Sequence, residues 1–248
     1  MKLFGLIGYP LSHSFSAGYF AKKFEKENIT DCEYKNFPLE NIMLFKQLLS
    51  ENANLHGLNV TIPYKEQVIP YLTSIDPVAE AIGAVNVIKF SKNSHEVKLT
   101  GYNSDVYGFS SSIQPYIKEY HKYALVLGSG GASKAVIYAL KTMGMDVLTV
   151  SRNPQGAEQI SYSNLDNAQM QRSLVIVNTT PLGMYPKTDA CPDIPYQMLT
   201  NKHILFDAVY NPAETLFLQK GKAHGAFTMN GLEMLHLQAE KAWVIWNE

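Results

Sequence analysis

Short apolar runs alternate with amphipathic segments along the second half of the chain. The apolar runs, each of strand length, are Ala124–Leu127, Asp146–Val150, Leu174–Val177, Ile204–Phe206 and Ala226–Met229. Between the first two, Val136, Ala139, Leu140 and Met143 recur at helical spacing, and Gly144 follows as a stop signal. A second helix is predicted over Thr215–His224. Buried strands that alternate with helices predict an α/β domain with a doubly wound parallel sheet.

The first half alternates less regularly but also predicts an α/β domain. Its predicted strands are Lys2–Ile7, Glu33–Phe37, a run from Gly57 that ends at Pro63, Ala84–Ile88 and Val97–Gly101. Its predicted helices contain Ala17, Phe20, Ala21 and Phe24 in one case and span Asn41–Leu49 in another. Asp76-Pro77 predicts a helix start and Gly83 its end. The turn Ser91–Ser94 predicts a hairpin at the sheet edge.

A predicted helix over Val106–Tyr120 leads directly into the second half, which makes it the best place for a domain boundary. A last helix, from Gly231 to Trp246, carries an apolar stripe, and Gln238 lies at the edge of that stripe. The residues of the stripe are Leu232, Leu235, Ala239, Ala242, Trp243 and Trp246.

Composition narrows the class of protein. The 248 residues are 46% hydrophobic and 17% charged with a net charge of −1, which is typical of a globular protein with room for two modest domains. There is no basic stripe for nucleic acid and no apolar run that could span a membrane. Cys32 and Cys191 lack metal-ligand or redox spacing, and the apolar start before Pro10 is too short for a signal peptide. We therefore expect no metal and a reducing cytoplasmic location.

The stretch Gly128-Ser129-Gly130-Gly131-Ala132-Ser133 follows a predicted buried strand and opens a predicted helix. Glycines here let backbone N–H groups approach an anionic diphosphate, and the helix start adds partial positive charge. Ser133 stands where the usual dinucleotide pattern has a third glycine. The turn predicts a dinucleotide site, with a tight β-α turn as the alternative.

The residues after Val150 indicate which dinucleotide would bind. A site for NAD usually places Asp or Glu at this strand end to bind the ribose 2′-hydroxyl. Here the strand ends in Ser151-Arg152-Asn153, and a guanidinium can bind a 2′-phosphate. NADP is therefore favoured over NAD, unless Arg152 is simply a solvated loop residue.

Several polar side chains of the first half are candidates for binding or catalysis. Ser12 and Ser14 share a face of an extended loop and could hold a polar ligand, whereas Ser14 or Ser16 could instead cap the next helix. Lys65 is predicted to lie at a helix start, where the positive end of the helix repels its charge unless an anion binds it. Asn86 interrupts a β-branched run, so it either satisfies the backbone or faces a ligand.

Asp105 precedes the helix predicted over Val106–Tyr120. The simple interpretation is a helix cap. The functional interpretation places it in a cleft between the two domains, where ligands preferentially bind.

Taken together, the motifs closely resemble shikimate dehydrogenase over almost the whole chain. The stretches that carry the resemblance are Ser12–Ser14, Asn59–Lys65, Gly83–Asn86, Asn103–Asp105, the glycine turn, Asn178–Met184 and Asp207–Pro212. The resemblance implies NADPH-dependent, reversible reduction of 3-dehydroshikimate to shikimate, in the pathway to chorismate and the aromatic amino acids. It also implies a substrate domain of residues 1–104 and 231–248, to which the last helix returns, and a Rossmann-like NADP domain of residues 105–230.

Site residues follow from the same resemblance. Lys65 and Asp105 look like the catalytic pair. The substrate-binding set would be Ser12, Ser14, Thr61, Asn86, Tyr210 and Gln238. The NADP-binding set would be Gly128, Ser129, Gly130, Gly131, Ala132, Ser151, Arg152, Asn153, Thr179, Ala208 and Gly231.

The chain departs from the family pattern at three places. Ser16-Ala17-Gly18-Tyr19-Phe20 replaces a Ser-Pro that is soon followed by a His-Asn pair. Asn103-Ser104-Asp105 replaces Asn-Thr-Asp, and Gln155-Gly156 occupies the place of a second basic residue that many NADP-using members carry. The alternatives are a quinate/shikimate dehydrogenase with NAD or dual cofactor use, and a non-catalytic NADP-dependent sensor that binds shikimate. We expect a monomer or a homodimer.

Overall fold

The computed structural model describes residues 1–11, 14–92 and 96–248. The chain divides into two compact units. The first unit is Met1–Ser104 with Ala239–Glu248, and the second is Asp105–Gln238. None of the helices within the described ranges is long and apolar enough to cross a membrane.

The first unit contains a six-stranded mixed sheet with helices around it. Its elements are β1 Lys2–Gly8, α1 Phe15–Lys26, β2 Cys32–Pro38, α2 Phe45–Glu51, β3 Leu55–Val60, α3 Tyr64–Gln67, β4 Ser74–Ile75, α4 Pro77–Ile82, β5 Val87–Lys92 and β6 Val97–Tyr102. The strand order is β2-β1-β3-β5-β6-β4. Strand β1 is parallel to β2 and β3, and β5 is antiparallel to β3 and β6. The loops after β1 and β3 therefore leave the same edge of the sheet.

The second unit contains a six-stranded sheet in which all pairings are parallel. Its elements are α5 Asp105–Ile113, β7 Tyr123–Leu127, α6 Gly131–Thr142, β8 Asp146–Val150, β9 Gln159–Ile160, α7 Asn167–Arg172, β10 Val175–Asn178, β11 Ile204–Asp207, α8 Leu216–Ala223, β12 Phe227–Asn230 and the first part of α9 Leu232–Asn247. The part of α9 from Ala239 onwards belongs to the first unit. The strand order is β12-β11-β10-β7-β8-β9. The order reverses between β7 and β10, which is where ligands bind in open α/β sheets. The predicted α/β fold class is confirmed.

Local signals placed several boundaries correctly. Asp76 caps α4 by accepting a hydrogen bond from the backbone N–H of Val78 at 3.0 Å, Pro77 is the first helical residue, and Gly83 ends the helix with a φ of 69°. Gly144 likewise has a positive φ of 80°, just after α6. These positions need little tertiary information because the capping chemistry is local.

Other boundaries differ from the sequence prediction. The helix predicted over Val106–Tyr120 ends at Ile113, because Pro115 cannot continue a helical hydrogen-bond ladder. The strand predicted over Ala84–Ile88 begins only at Val87, and the strand predicted to end at Pro63 ends at Val60. The stripe of α9 includes buried Met234, whereas Leu232 is 39% exposed.

Three elements were absent from the prediction. Strands β4 and β9 are only two residues long, and α7 has six residues. The start of α7 does carry a recognisable signal, since Asp166 and Gln169 form a capping box. The turn predicted over Ser91–Ser94 lies partly outside the described residues, while the antiparallel pairing of β5 and β6 is present.

The C-terminal part of α9 packs into the first unit through an aromatic cluster. Phe4, Phe20 and Trp246 are buried there, and the Trp246 indole N–H donates to the Ile88 carbonyl at 3.1 Å. Gly57 on β3 faces this indole so closely that a Cβ at position 57 would collide with Nε1 of Trp246. A glycine in the middle of a strand is explained here by the approach of a bulky ring.

A buried polar network joins the ends of β10 and β11. Asp207 is fully buried and accepts hydrogen bonds from the Asn178 amide at 3.0 Å, the Val209 backbone N–H at 3.0 Å and the Thr215 hydroxyl. Burial raises the pKa of Asp207 to about 6, although these three hydrogen bonds act in the opposite direction. The network holds the loop after β11 against the loop after β10.

We predict that Gly57→Ala destabilises the first unit by about 1–3 kcal/mol, because the added methyl must displace the Trp246 indole. Denaturant unfolding followed by tryptophan fluorescence measures this directly, since both tryptophans, Trp243 and Trp246, belong to the first unit. Gly18→Ala is the matched control, because position 18 is in α1 and has no heavy atom within 4 Å of the added Cβ. Equal unfolding free energies for the two variants would contradict the packing argument.

We further predict that Asp207→Asn removes a pH dependence of stability. An acid whose pKa rises on folding from 3.8 to about 6 keeps a proton that the unfolded chain loses, so its contribution to stability falls as the pH rises from about 4 to about 6. The unfolding free energy of the variant relative to the original chain should therefore increase by up to about 3 kcal/mol between pH 4 and pH 7. Unfolding titrations at both pH values test this, with the exposed Asp189→Asn as control.

Candidate active site

The loops after β1 and β3 are tied together at one edge of the first sheet. The backbone N–H of Thr61 donates to the Ile7 carbonyl at 2.9 Å, and the N–H of Tyr9 donates to the Ile62 carbonyl at 3.1 Å. Gly8 is the last residue of β1, and a Cβ on this residue would collide with the Thr61 methyl group. The close contact requires glycine and brings Thr61 against the end of β1.

Ser14 lies at the N-cap position of α1 but does not cap the helix. Its side chain makes no capping hydrogen bond, and its Oγ is buried with no hydrogen-bond partner among the described residues. The capping interpretation is therefore wrong for Ser14. Ser16 instead hydrogen-bonds to the Tyr34 hydroxyl, whose pKa burial raises. Ser12 lies outside the described residues.

Asn86 is held just before β5 with its amide oriented. It is 2% exposed. Its Oδ1 accepts from the Ser104 N–H at 2.7 Å, and its Nδ2 donates to the Ser104 hydroxyl at 3.1 Å. Its backbone carbonyl accepts from the N–H of Val60 at 2.8 Å, at the end of β3. Asn86 thus satisfies a neighbouring backbone group, as one interpretation predicted. Sequence reasoning missed Ser104 as its partner, although Ser104 lies in the Asn103–Asp105 motif.

Lys65 is placed beside Asn86 by a backbone contact. Its carbonyl accepts from the N–H of Val85 at 2.7 Å, one residue before Asn86. Lys65 is half-buried and is the second residue of α3. Because α3 is only four residues long, the unfavourable helix-end field expected from the sequence is small. Around the end of β3, the structure therefore brings Thr61, Lys65 and Asn86 together.

Asp105 is the first residue of α5 and is 1% exposed. It therefore lies inside the first turn and not before it. A carboxylate in the first turn interacts favourably with the positive end of the helix dipole. The buried Asp105 carboxylate can therefore accept hydrogen bonds while it stays in place at the start of α5.

The glycine turn has the geometry that an anion cradle needs. Gly128 has a φ of 110°, and a Cβ there would lie 2.8 Å from the Thr179 hydroxyl oxygen. That hydroxyl donates to the Leu127 carbonyl at 2.8 Å, so Thr179 is locked beside the turn. Around the position of a Cβ on Gly130 there is open space. The turn follows β7 and contacts Thr179, which follows the neighbouring strand β10. It therefore lies at the point where the strand order reverses.

Helix α6 begins at Gly131, inside the glycine stretch that the sequence predicts to open a helix. Ser133 is buried and its hydroxyl donates to the Gly130 carbonyl at 2.6 Å. A serine can therefore replace the third glycine of the usual pattern, because its short side chain folds back on the turn. Ala132 follows Gly131 in the first turn of this helix, next to the cradle.

The residues after β8 extend the cradle. The Ser151 hydroxyl accepts from the Asn153 N–H at 3.2 Å and is 3.3 Å from the Ser129 hydroxyl. Arg152 is exposed, and no carboxylate stands among residues 151–153. The two hydroxyls and the backbone N–H groups of the glycine turn are suited to bind a diphosphate, and the exposed guanidinium is suited to bind an additional phosphate. These residues fit NADP.

The backbones of Ala208 and Gly231 meet beyond the ends of β11 and β12. The Ala208 N–H donates to the Asn178 carbonyl at 2.8 Å, and a Cβ on Gly231 would collide with the Ala208 carbonyl oxygen. Nearby in sequence, Tyr210 is half-buried, and this burial raises the pKa of its phenol. Gln238 is also half-buried, on α9. Its Cβ would be 3.1 Å from a Cβ on Gly108.

Within residues 1–11, 14–92 and 96–248, no group of three or more His, Cys, Asp or Glu side chains could hold a metal ion.

Comparison with known proteins gives a consistent result. Residues 6–88 match the family model for the shikimate dehydrogenase substrate binding domain. A shikimate dehydrogenase (NADP(+)) of Clostridium beijerinckii is 40% identical over 100% of this chain and 93% of its own length. The crystal structure of shikimate dehydrogenase from Aquifex aeolicus has a TM-score of 0.87 at 34% identity, covering 100% of this chain and 92% of that one.

A structure of shikimate 5-dehydrogenase from Thermus thermophilus, in complex with NADP(H) and shikimate, has a TM-score of 0.86 at 29% identity and covers 99% of this chain and 93% of that one. Sequence identity of this level over essentially whole chains, on two units whose polar residues follow the family's motifs, leads to one conclusion: this chain belongs to the shikimate dehydrogenase family.

Proposed function

We propose that this chain catalyses the NADPH-dependent, reversible reduction of 3-dehydroshikimate to shikimate, in the pathway to chorismate and the aromatic amino acids. The observation that carries the proposal is the set of polar residues at the end of β3, where Thr61, Lys65 and Asn86 are tied into one arrangement. The anion cradle of the second unit supports the choice of cofactor. NADP, when bound, supplies the chemistry of hydride transfer.

Lys65 is proposed as the proton donor in the reduction and as the proton acceptor in the reverse reaction. Reduction of a carbonyl carbon leaves negative charge on its oxygen, and a nearby ammonium stabilises that charge and donates a proton to the oxygen. In the reverse direction the amine takes the proton from the hydroxyl. The backbone contact between Lys65 and Val85 fixes the start of the side chain that carries this ammonium.

Asp105 is proposed as the second member of the catalytic pair. Its buried carboxylate can accept a hydrogen bond from a hydroxyl of the substrate.

The remaining polar residues are proposed to recognise the substrate's carboxylate and ring hydroxyls. Ser12 and Ser14 would bind the carboxylate. The buried Ser14 hydroxyl supports that role, because it has no hydrogen-bond partner within the described part of the chain. Thr61, Asn86, Tyr210 and Gln238 would bind hydroxyls. Ser104 orients the Asn86 amide, because Nδ2 of Asn86 donates to the Ser104 hydroxyl at 3.1 Å.

The cofactor residues are proposed in two groups. Gly128, Ser129, Gly130, Gly131 and Ala132 would hold the diphosphate, together with Thr179, and Ser151, Arg152 and Asn153 would hold the 2′-phosphate. The backbone meeting of Ala208 and Gly231 would lie along the nicotinamide, where a side chain would obstruct it. The domains are proposed as residues 1–104 with 231–248 for substrate, and 105–230 for NADP.

A cytoplasmic location is proposed for this protein. Cys32 and Cys191 are free thiols, which fits a reducing cytoplasm. The expectation of a monomer or a homodimer stays a prediction.

We predict that Lys65→Ala lowers kcat by about 10²- to 10⁴-fold, because the reaction loses its proton donor. The assay follows absorbance at 340 nm with shikimate or quinate against NADP or NAD. Lys22→Ala, which changes an exposed lysine on α1, is the control and should leave kcat unchanged. Quinate turnover would move the assignment to a quinate/shikimate dehydrogenase. Tight binding of both ligands by the original chain without turnover would favour a sensor.

We also predict that Arg152→Gln raises the KM for NADP by about 10- to 100-fold and leaves the KM for NAD nearly unchanged, because it removes a charged hydrogen bond to the 2′-phosphate. The chain has one other arginine, Arg172, whose guanidinium lies over the Tyr123 ring 4.9 Å from its centroid. Arg172→Gln is therefore the matched control. A similar KM change for both cofactors would show that Arg152 does not read the 2′-phosphate.

A further inference from the structure

The stretch Ser16-Ala17-Gly18-Tyr19-Phe20, which departs from the family pattern, lies in helix α1, and its Tyr19 makes a contact that the sequence did not suggest. The Tyr19 hydroxyl donates a hydrogen bond to Oε1 of Glu240. The Lys23 ammonium donates to Oε2 of the same carboxylate at 2.7 Å. One turn apart on α1, these two side chains hold both oxygens of one carboxylate on α9. We call Tyr19, Lys23 and Glu240 the α1–α9 clamp.

The clamp is built from partly buried groups with favourable charges. Lys23 keeps only 8% of its side chain exposed and also pairs with Glu27 at 2.7 Å. Burial lowers the pKa of Lys23, but hydrogen bonds to Glu240 and Glu27 outweigh burial and raise it overall. Burial and the bond to Glu240 raise the pKa of the Tyr19 phenol. Both donors therefore keep their protons at neutral pH, and the clamp stays formed.

A continuous path leads from the clamp to Ser14. The Phe15 ring stacks on the Tyr19 ring, with centroids 5.3 Å apart and planes 28° apart. Phe15 is the first residue of α1 and follows Ser14 directly, and the Ser14 N–H donates to the Leu11 carbonyl at 3.2 Å. Tyr19 therefore packs against the first turn of α1. This is the end of the helix next to the Ser14 hydroxyl, for which the described residues offer no hydrogen-bond partner. All of these residues belong to the first unit.

We propose that Tyr19 and Glu240 of the α1–α9 clamp are positioning residues that aim the Ser14 hydroxyl at the substrate's carboxylate. The inference rests on the proposed function, because it takes Ser14 as a substrate-binding residue. The clamp acts through Phe15 on the Ser14 hydroxyl, which has no hydrogen-bond partner among the described residues. Neither Tyr19 nor Glu240 touches the reacting atoms in this role.

Tyr19→Phe tests the proposal with minimal disturbance, because it removes one oxygen and keeps the ring that Phe15 stacks on. The KM for shikimate should rise about tenfold, while kcat and the KM for NADP stay within about twofold, since a binding group is displaced and the chemical step is intact. Glu240→Gln should act in the same direction. Glu27→Gln is the control, because it removes the more exposed partner of Lys23 and leaves the clamp in place.

A double-mutant cycle separates positioning from general destabilisation. In a Ser14→Ala background, Tyr19→Phe should no longer change the KM for shikimate, because there is no hydroxyl left to aim. The tryptophan fluorescence of each variant verifies that the first unit is folded, and direct binding of shikimate by calorimetry accompanies the kinetics.

The outcomes distinguish this inference from the proposed function. If the original chain neither binds nor turns over shikimate, both are overturned. If the original chain is active but Tyr19→Phe and Glu240→Gln leave the KM for shikimate unchanged, or if Tyr19→Phe raises it by the same factor with and without Ser14, the clamp has no positioning role and the proposed function stands.

Discussion

Parallel strand pairing is the constraint on which both candidate binding regions depend. When two strands run in the same direction, the loops that follow them must leave the same edge of the sheet. The pairing of β1 with β3 brings the loop of Gly8 to that of Thr61, and the pairing of β7 with β10 brings Gly128 to Thr179. Polar residues that are far apart in the chain therefore become neighbours, while the apolar strands between them fill the core.

Glycine makes these meetings close enough to be useful. At Gly8, Gly128 and Gly231, a Cβ would lie closer to an atom of a neighbouring loop than the sum of the two van der Waals radii. Only at Gly128 does the backbone also require a left-handed conformation, with a φ of 110°. Two different physical demands, close approach and backbone angle, thus produce the same residue type at the ends of strands.

Buried hydrogen bonds then determine which polar groups are structural and which remain for a ligand. Asp207 is fully used in joining two loops, and Asn86 directs its Oδ1 to the Ser104 backbone. The Ser14 hydroxyl has been removed from water and has no protein partner among the described residues. A buried polar group without a partner is costly to folding, which is the reason for our proposal that a ligand binds the Ser14 hydroxyl.

By itself, the sequence determined the α/β class, the glycine turn, the caps of α4 and the family. These features depend on local periodicity, on backbone angles that few residues adopt, and on residue order within motifs. The tertiary structure decided the rest. It showed that Ser14 does not cap α1, that Ser104 orients Asn86, and that Tyr19 reaches Glu240, which is 221 positions away along the chain. Such partners cannot be read from a sequence, because each depends on the angle at which two elements pack and on which oxygen a donor can reach.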